Sequence, residues 1–275
     1  MKDDSEDLVL EGDVVLFLTE RGKRYLVQVV EGKRFHSGEG YVDLSSIIGM
    51  PYGGSVRTNI GRRWFVLFPK FAQKIMKVPR VTQIVYPKDL GAIIMMADIH
   101  TGSRVVDGGT GSGVLTATIA RYVSPTGEVY SYDVNERNLE AAKAQLARLG
   151  LLRYVSLKQG DLTSRIDEVS VDAVTLDIPT PWLAVGNAYR ALRAGGMLLS
   201  LSPTIEQVVE TVESMKETGF VDIENVEILL RRLRVRRGMT RPEHIMRAHT
   251  TYITSGRKAL KEVSGGMIGE HGLQP

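Results

Sequence analysis

The stretch Arg104-Val-Val-Asp-Gly-Gly-Thr-Gly-Ser-Gly113 constrains the fold more than any other part of the chain. Strand-forming residues 104–107 run into a turn with glycines at 108, 109, 111 and 113, and a helical pattern, Val114-Leu-Thr-Ala-Thr-Ile-Ala-Arg-Tyr122, follows at once. Strand, glycine turn and helix together let a backbone approach a nucleotide closely and aim amide N–H groups at its polar atoms. A dinucleotide fingerprint G-x-G-x-x-G starting at Gly109 would need glycine at 114, where Val114 stands. What remains is an acidic residue at the strand end, then G-x-G-x-G (Gly109, Gly111, Gly113). Glycines so spaced also make plain tight turns, so the chemistry has to come from the residues around them.

From Arg104 onward strands and helices alternate. Strand 104–107 leads to helix 114–122. After it come strand 128–132, a helix over 136–149 stopped by Gly150, strands 154–158 and 172–176, helix 183–193, strand 197–201 and helix 205–218. Two closing strands are expected at about 221–233 and 249–254 with an arginine-rich turn between them. This is an α/β pattern: a parallel sheet covered by helices on both faces, with an antiparallel strand at or near one edge. Before it, residues 1–68 read as a small β-rich N-terminal domain, with strands at 14–18, 25–30 and 63–68. Residues 69–88 read as a linker, 89–262 as the α/β domain and 263–275 as a flexible tail. Asp89 is the expected N-cap of a helix over 90–97.

Composition narrows the chemistry. The 275 residues include no cysteine, which excludes disulfides, thiolate metal sites and cysteine nucleophiles. The five histidines form no H-x-x-x-H pair, so no metal is expected. The chain has 43% hydrophobic and 24% charged residues, and no apolar run approaches the roughly 18 residues of a membrane span. The acidic start, Met1-Lys-Asp-Asp-Ser-Glu-Asp7, has no apolar core, so no secretory signal is expected and the cytoplasm is the expected location. Net charge is only +3, yet Arg231, Arg232, Arg234, Arg236, Arg237, Arg241 and Arg247 crowd one short segment. Such a run is either a solvated strand edge or a surface for phosphates.

In open α/β sheets ligands sit beyond the carboxyl ends of the strands. The first strand ends in Asp107, the second in Asp133, the third is followed by Asp161, and the fourth ends in Asp177. Unpaired buried carboxylates are costly, so four at successive strand ends read together as a nucleoside cradle. Any one alone is more often a turn former or N-cap. In Asp177-Ile-Pro-Thr-Pro-Trp182 two prolines stiffen the chain after the strand and remove two backbone donors.

With these motifs on hand, the chain resembles the tRNA (adenine-N1)-methyltransferases of the TrmI family. The resemblance covers nearly the whole chain: the N-terminal β module, Gln83-Ile-Val-Tyr-Pro-Lys-Asp89, Val106-Asp-Gly-Gly-Thr-Gly-Ser-Gly-Val-Leu-Thr116, Leu176-Asp-Ile-Pro-Thr-Pro-Trp182, Ser202-Pro-Thr-Ile-Glu-Gln207, and Arg241-Pro with His249-Thr250. It implies a class I, Rossmann-like, S-adenosylmethionine-dependent methyltransferase sheet that modifies N1 of adenine in the T-loop of tRNA, at position 58, 57 or both. Gly109, Gly111, Ser112, Gly113, Val114 and Leu115 would hold the methionine moiety, Asp133 the ribose, and Asp161 with Leu162 the adenine ring. Gln83 would lie near the cofactor, and Asp177 would be both a cofactor neighbour and the catalytic carboxylate. Asn138 stands where many relatives carry a basic residue and is kept as a cofactor-binding candidate. Thr251 replaces a glycine usual in relatives. The resemblance also implies a homotetramer.

On this reading Arg231, Arg234, Arg236, Arg237 and Arg241 would bind RNA phosphates, joined by Arg62 and Arg63. Tyr86, Trp182 and Tyr189 are candidates to stack on a base swung out of its pairing. Two other readings differ in acceptor and class. A protein isoaspartate methyltransferase shares a similar glycine loop but lacks Asp-x-Pro-x-Pro-Trp. A non-catalytic RNA-binding subunit usually has a degraded loop, and this one is intact.

Overall fold

A computed structural model describes residues 8–77, 83–246 and 248–260, so Arg247 and the tail expected at 263–275 lie outside the described residues. The chain divides into two compact units, Met1–Val78 and Pro79–Pro275.

The first unit is antiparallel β. Strands β1 (Val14–Thr19), β2 (Arg24–Gln28), β3 (Arg34–Ser37), β4 (Gly40–Asp43), β5 (Ser55–Arg57) and β6 (Arg63–Leu67) form a four-stranded sheet, in the order β2-β1-β6-β5, and a separate β3-β4 ribbon. Alternation explains the sheet: in β6, Trp64 and Val66 are buried while Arg63 is exposed. Trp64 packs on Phe17 at 5.4 Å between ring centres, and Tyr25 on Phe35 at 5.3 Å, around Val9, Val15, Val27 and Ile47. The short strands β3 to β5 were not expected from sequence, because their few residues are mostly charged, polar or glycine. A short helix, α1 (Phe71–Ile75), belongs to the same unit.

The second unit opens with α2 (Pro87–Met96) and β7 (Arg104–Gly108). There follow α3 (Val114–Val123), β8 (Glu128–Asp133), α4 (Glu136–Arg148), β9 (Val155–Gln159), β10 (Val171–Leu176), α5 (Pro181–Ala191), β11 (Leu192–Ser202) and α6 (Ile205–Thr218). It closes with β12 (Phe220–Glu227), the two-residue strands β13 (Leu233–Arg234) and β14 (Arg241–Pro242), and β15 (Tyr252–Lys258). Seven strands make one sheet in the order β12-β15-β11-β10-β7-β8-β9. The five from β11 to β9 run parallel, as the βα alternation predicts. Central strands such as β10 are buried almost throughout, since helices cover both faces. On one face Val106, Val174, Leu176 and Leu198 pack with Ala184, Val185 and Ala188 of α5 and Met215 of α6.

Helix ends follow local chemistry. Asn135 caps α4 by accepting from the Arg137 N–H at 3.0 Å, and Gly150 ends it at φ 69°. Asp89 is not the cap of α2. That helix starts three residues earlier, with Tyr86 as N-cap and Pro87 at the first helical position, which its fixed φ suits. Asp89 is instead fully buried in the first turn.

The closing strands also differ from expectation. β12 stops at Glu227, and β15 starts at Tyr252, three residues later than expected. The two ends coincide because Glu227 pairs with Tyr252, and beyond that register neither strand has a partner. β15 lies between β11 and β12, antiparallel to both. The arginine-rich segment leaves the sheet and pairs only with itself, Leu233 with Pro242 and Arg234 with Arg241.

Candidate active site

The glycine loop after β7 is folded by backbone bonds to its neighbours. Gly109 and Thr110 N–H groups donate to the Tyr132 carbonyl at 2.8 and 3.1 Å, which ties the loop to the end of β8. Gly109, Gly111 and Gly113 have φ of 90°, 50° and 74°, a region L side chains avoid. At Gly109 the need is also steric, because a Cβ there would lie 2.1 Å from the Asp177 carbonyl oxygen. At Gly113 a Cβ would press on Ala142 of α4 at 3.0 Å.

Beyond the strand ends lies a cavity of about 650 Å³. Of the predicted site residues it is lined by Gln83, Gly109, Gly111, Ser112, Val114, Leu115, Asp133, Asn138, Asp161, Leu162 and Asp177. Gly113 is not among the lining residues. Its work is the turn into α3 and the close approach to α4. Thr110, within the run 109–115 assigned to the methionine moiety, lines the cavity as well, and sequence reasoning gave no role to Tyr132, Val134, Gly160, Thr163 and Ile178, which also line it. Each adjoins a residue that was singled out, so position at a strand end was the available signal.

The carboxylates do different things. Asp133 is held by three donors: Gly111 N–H to Oδ2 at 2.9 Å, Asn135 N–H to Oδ1 at 2.9 Å, and Asn138 Nδ2 to both oxygens at 3.1 and 3.2 Å. Asn138 therefore sits on the carboxylate it follows and orients it. Asp161 accepts from the N–H and the hydroxyl of Thr163, both at 2.8 Å, so it forms a turn as well as lining the cavity. The Asn187 amide donates to the Leu162 and Thr163 carbonyls at 2.7 and 2.9 Å, fixing that loop from α5.

Asp107 does not line the cavity. It lies fully buried beneath the loop, taking hydroxyl bonds from Thr116 (2.7 Å), Ser131 (2.9 Å) and Thr175 (2.8 Å). Of the four carboxylates expected to form a nucleoside cradle, three line the cavity. Burial pushes Asp107 above the ordinary carboxylate pKa, against the pull of its three hydroxyl donors. Asp177 is exposed on its cavity side, yet protein surrounds it elsewhere. Desolvation there, with the charge of Asp107 adding to it, pushes the Asp177 pKa up to about 7. Among the described lining residues there is no lysine, arginine or histidine. The cavity is thus anionic and suited to a cationic ligand.

The remaining motif residues are structural ties. Asp89 takes the Lys88 ammonium at 2.7 Å and the Thr250 hydroxyl at 2.7 Å, so the start of α2 is fastened to the chain entering β15. Tyr189 packs edge-on against Phe220 and donates to the Ala259 carbonyl, which commits it to the core. His249 bridges Glu227 and the Pro203 carbonyl, with Nδ1 at 2.7 Å and Nε2 at 3.0 Å. Both partners accept, so the bridge is complete only in the imidazolium, and these contacts raise the His249 pKa, the Glu227 bond most. The stabilisation should be full below the unfolded value of about 6.5 and lost as pH rises through the raised folded value. Melting curves from pH 6 to 9 should therefore fall more steeply for the wild type than for His249→Gln. Parallel curves would remove the bridge from the stability account.

Arg231, Arg232, Arg234, Arg236 and Arg237 are all exposed, and Arg241 is half-buried beside His244. Between them Leu233, Val235 and Met239 are 62%, 77% and 62% exposed, which a solvated edge alone does not explain. No group of three or more His, Cys, Asp or Glu among the described residues is placed to hold a metal, and none of the described helices is long and apolar enough to cross a membrane.

Two family models match the chain: "tRNA methyltransferase complex GCD14 subunit" over residues 64–261 and "TrmI-like N-terminal" over residues 9–56. A tRNA (adenine(57)-N(1)/adenine(58)-N(1))-methyltransferase TrmI of Methanocaldococcus jannaschii is 34% identical over 268 residues, 88% of this chain and 94% of that one. A tRNA (adenine(58)-N(1))-methyltransferase TrmI of Thermus thermophilus is 31% identical over 245 residues, 89% of this chain and 96% of that one. Among solved structures, one described as a SAM-dependent O-methyltransferase from Thermotoga maritima superposes with a TM-score of 0.90 at 35% identity, covering 94% of this chain and 97% of its own. The tRNA (m1A58) methyltransferase TrmI of Aquifex aeolicus gives 0.83 at 28% identity, covering 92% and 100%.

Proposed function

From a chain that belongs to the tRNA methyltransferase complex GCD14 subunit family, we infer an S-adenosylmethionine-dependent enzyme that methylates N1 of adenine in tRNA. The observation that carries the reading is the cavity at the strand ends, lined by Asp133, Asp161 and Asp177 and by no described cationic side chain. A pyrophosphate cofactor would be repelled there, whereas a sulfonium is attracted. Bound S-adenosylmethionine supplies an electrophilic methyl group. Asp133, held by its three donors, is oriented to accept the ribose hydroxyls. Ser112, Val114 and Leu115 lie at the N-terminus of α3, where the first backbone N–H groups have no partner within the helix and the positive end of the helix dipole suits the carboxylate of the methionine moiety. Asp161 and Leu162 flank the space for the adenine ring, with Gln83 at the opening.

Asp177 accepts a hydrogen bond from the exocyclic amine of the target adenine. N1 has an unprotonated lone pair at neutral pH, so the reaction needs alignment more than a strong base. The ring becomes cationic as N1 is alkylated, so the bond to a carboxylate strengthens toward the transition state, which is the condition for catalysis. Incubating unmodified tRNA with methyl-labelled cofactor and mapping the product nucleoside tests the reading directly. Label on a ribose or protein oxygen, in line with the description of the Thermotoga relative, would overturn it. The same map distinguishes position 57 from 58, both of which appear in the name of the Methanocaldococcus enzyme.

The exposed arginines of the β13–β14 arm hold tRNA phosphates, and the exposed apolar side chains between them, Leu233, Val235 and Met239, are surface for packing copies of this chain into a homotetramer. A tRNA substrate fits action in the cytoplasm. Replacing Arg234, Arg236 and Arg237 by alanine should lower the slope of log binding constant against log salt by roughly 2 to 3. A slope unchanged within error would return these arginines to solvent.

A further inference from the structure

The first turn of α6 carries the signature Thr204-Ile-Glu-Gln207, in which the glutamine ordinarily reaches back to the backbone N–H of the cap. Half of that box is formed: Thr204 Oγ1 accepts from the Gln207 N–H at 3.3 Å. The other half is forgone. Gln207 Nε2 donates instead to the Pro179 carbonyl at 2.8 Å, 28 residues away in the chain. The amide cannot be turned round, because Pro179 offers only an acceptor there. Its Oε1 is consequently buried with no hydrogen-bond partner among the described residues.

Pro179 belongs to the segment that follows Asp177, and Ile178, Pro179 and Thr180 all line the cavity beside it. Pro179 and Pro181 have no N–H, and Thr180 caps α5 without a side-chain bond. The segment is therefore held from outside. Helix α6 grips it twice, through Gln207 at Pro179 and through Ser214, whose hydroxyl donates to the Trp182 carbonyl at 2.9 Å.

We propose that Gln207 is a positioning residue for the methyl acceptor. By fixing the Pro179 carbonyl it sets the Asp177 carboxylate and the cavity mouth against the incoming adenine, and it touches neither reactant. The inference rests on the adenine reading of Asp177. A glutamine selected for stability would be paired at both ends, and a buried acceptor without a donor lowers stability. The geometry thus favours alignment over stability as the purpose of this side chain.

Gln207→Met keeps the length and removes both the tether and the orphaned oxygen. Gln207→Glu keeps the shape but sets an acceptor against the Pro179 carbonyl. With the full chain and unmodified tRNA, kcat should fall about tenfold or more in both variants. The Kd for S-adenosylmethionine should stay within about twofold, and Gln207→Met should melt at or above the wild-type temperature. Two results overturn the proposal: a kcat within about twofold of wild type in both variants, or parallel losses of melting temperature and cofactor affinity in Gln207→Met. Wild-type enzyme that makes no 1-methyladenosine would overturn the functional reading first, and this inference with it.

Discussion

Asp177→Asn should lower kcat by about 10- to 150-fold, the kinetic equivalent of the roughly 1.5–3 kcal/mol carried by a hydrogen bond to a charged group. The amide keeps the shape and can still point an oxygen at the adenine amine, but it does not oppose the charge that develops on the alkylated ring. Cofactor affinity should change much less, since Asp133 and the glycine loop are untouched. A titration in which affinity collapses while kcat holds would show that Asp177 serves the cofactor instead. The same residue sets a pH signature. Its pKa is pushed up to about 7, and the proposed role requires the carboxylate, so kcat/KM should fall with a slope of one as pH drops below that value. Under saturating cofactor the midpoint of kcat should move to lower pH, because a neighbouring positive sulfonium favours the ionised carboxyl. Asp177→Asn should flatten the acid limb altogether.

Gly109→Ala should be at least as damaging, through a different cause. At φ 90° an L side chain is strained by about 1–2 kcal/mol, and the new Cβ would meet the Asp177 carbonyl at 2.1 Å. That oxygen is backbone, so no side-chain rotation relieves the contact. Either the glycine loop or the end of β10 must move, and both border the cavity. Activity should drop about 100-fold or more, together with weakened cofactor binding, while circular dichroism reports an intact fold. Near-wild-type turnover would mean that the loop and Asp177 do not need to touch.

Much of this architecture is legible in the sequence because most of the parallel strands are short, largely apolar runs that end in, or are followed at once by, aspartate, glycine or proline, as at Gly108, Asp133, Gly160, Asp177 and Pro203. Their helices are bounded by capping residues, as at Asn135, Gly150, Thr204 and Gly219. The candidate site is legible as a set of strand ends, and cross-strand register is what the sequence hides. Asp107 looked equivalent to Asp133 and Asp177. The ladders place Ser131, Asp107 and Thr175 side by side, and there the carboxylate meets hydroxyls under the loop. Asp89 misled for a simpler reason, since aspartate before an apolar run is a good cap and Pro87 overruled it. Gln207 shows the same limit, because the capping signature is present and only the distant Pro179 redirects the side chain. In the closing strands, the run of arginines and exposed leucines carried enough alternation to extend β12 on paper past the end of its partner.

The place of β15 bears on how the sheet can be assembled. It is the last of the described strands to leave the ribosome, yet it sits between β11 and β12, whose pairing partners on that side are both supplied by it. Until it arrives, β11 has an unpaired edge and β12 has no partner in the sheet, and such edges recruit foreign strands. The strands β7 to β10 that carry the cavity need no part of it, so the methyl-donor half can take shape first. A nascent chain stopped between Glu227 and Tyr252 would then hold its cofactor pocket and still be prone to aggregation. The seven residues of β15 are what join β12 to the rest of the sheet.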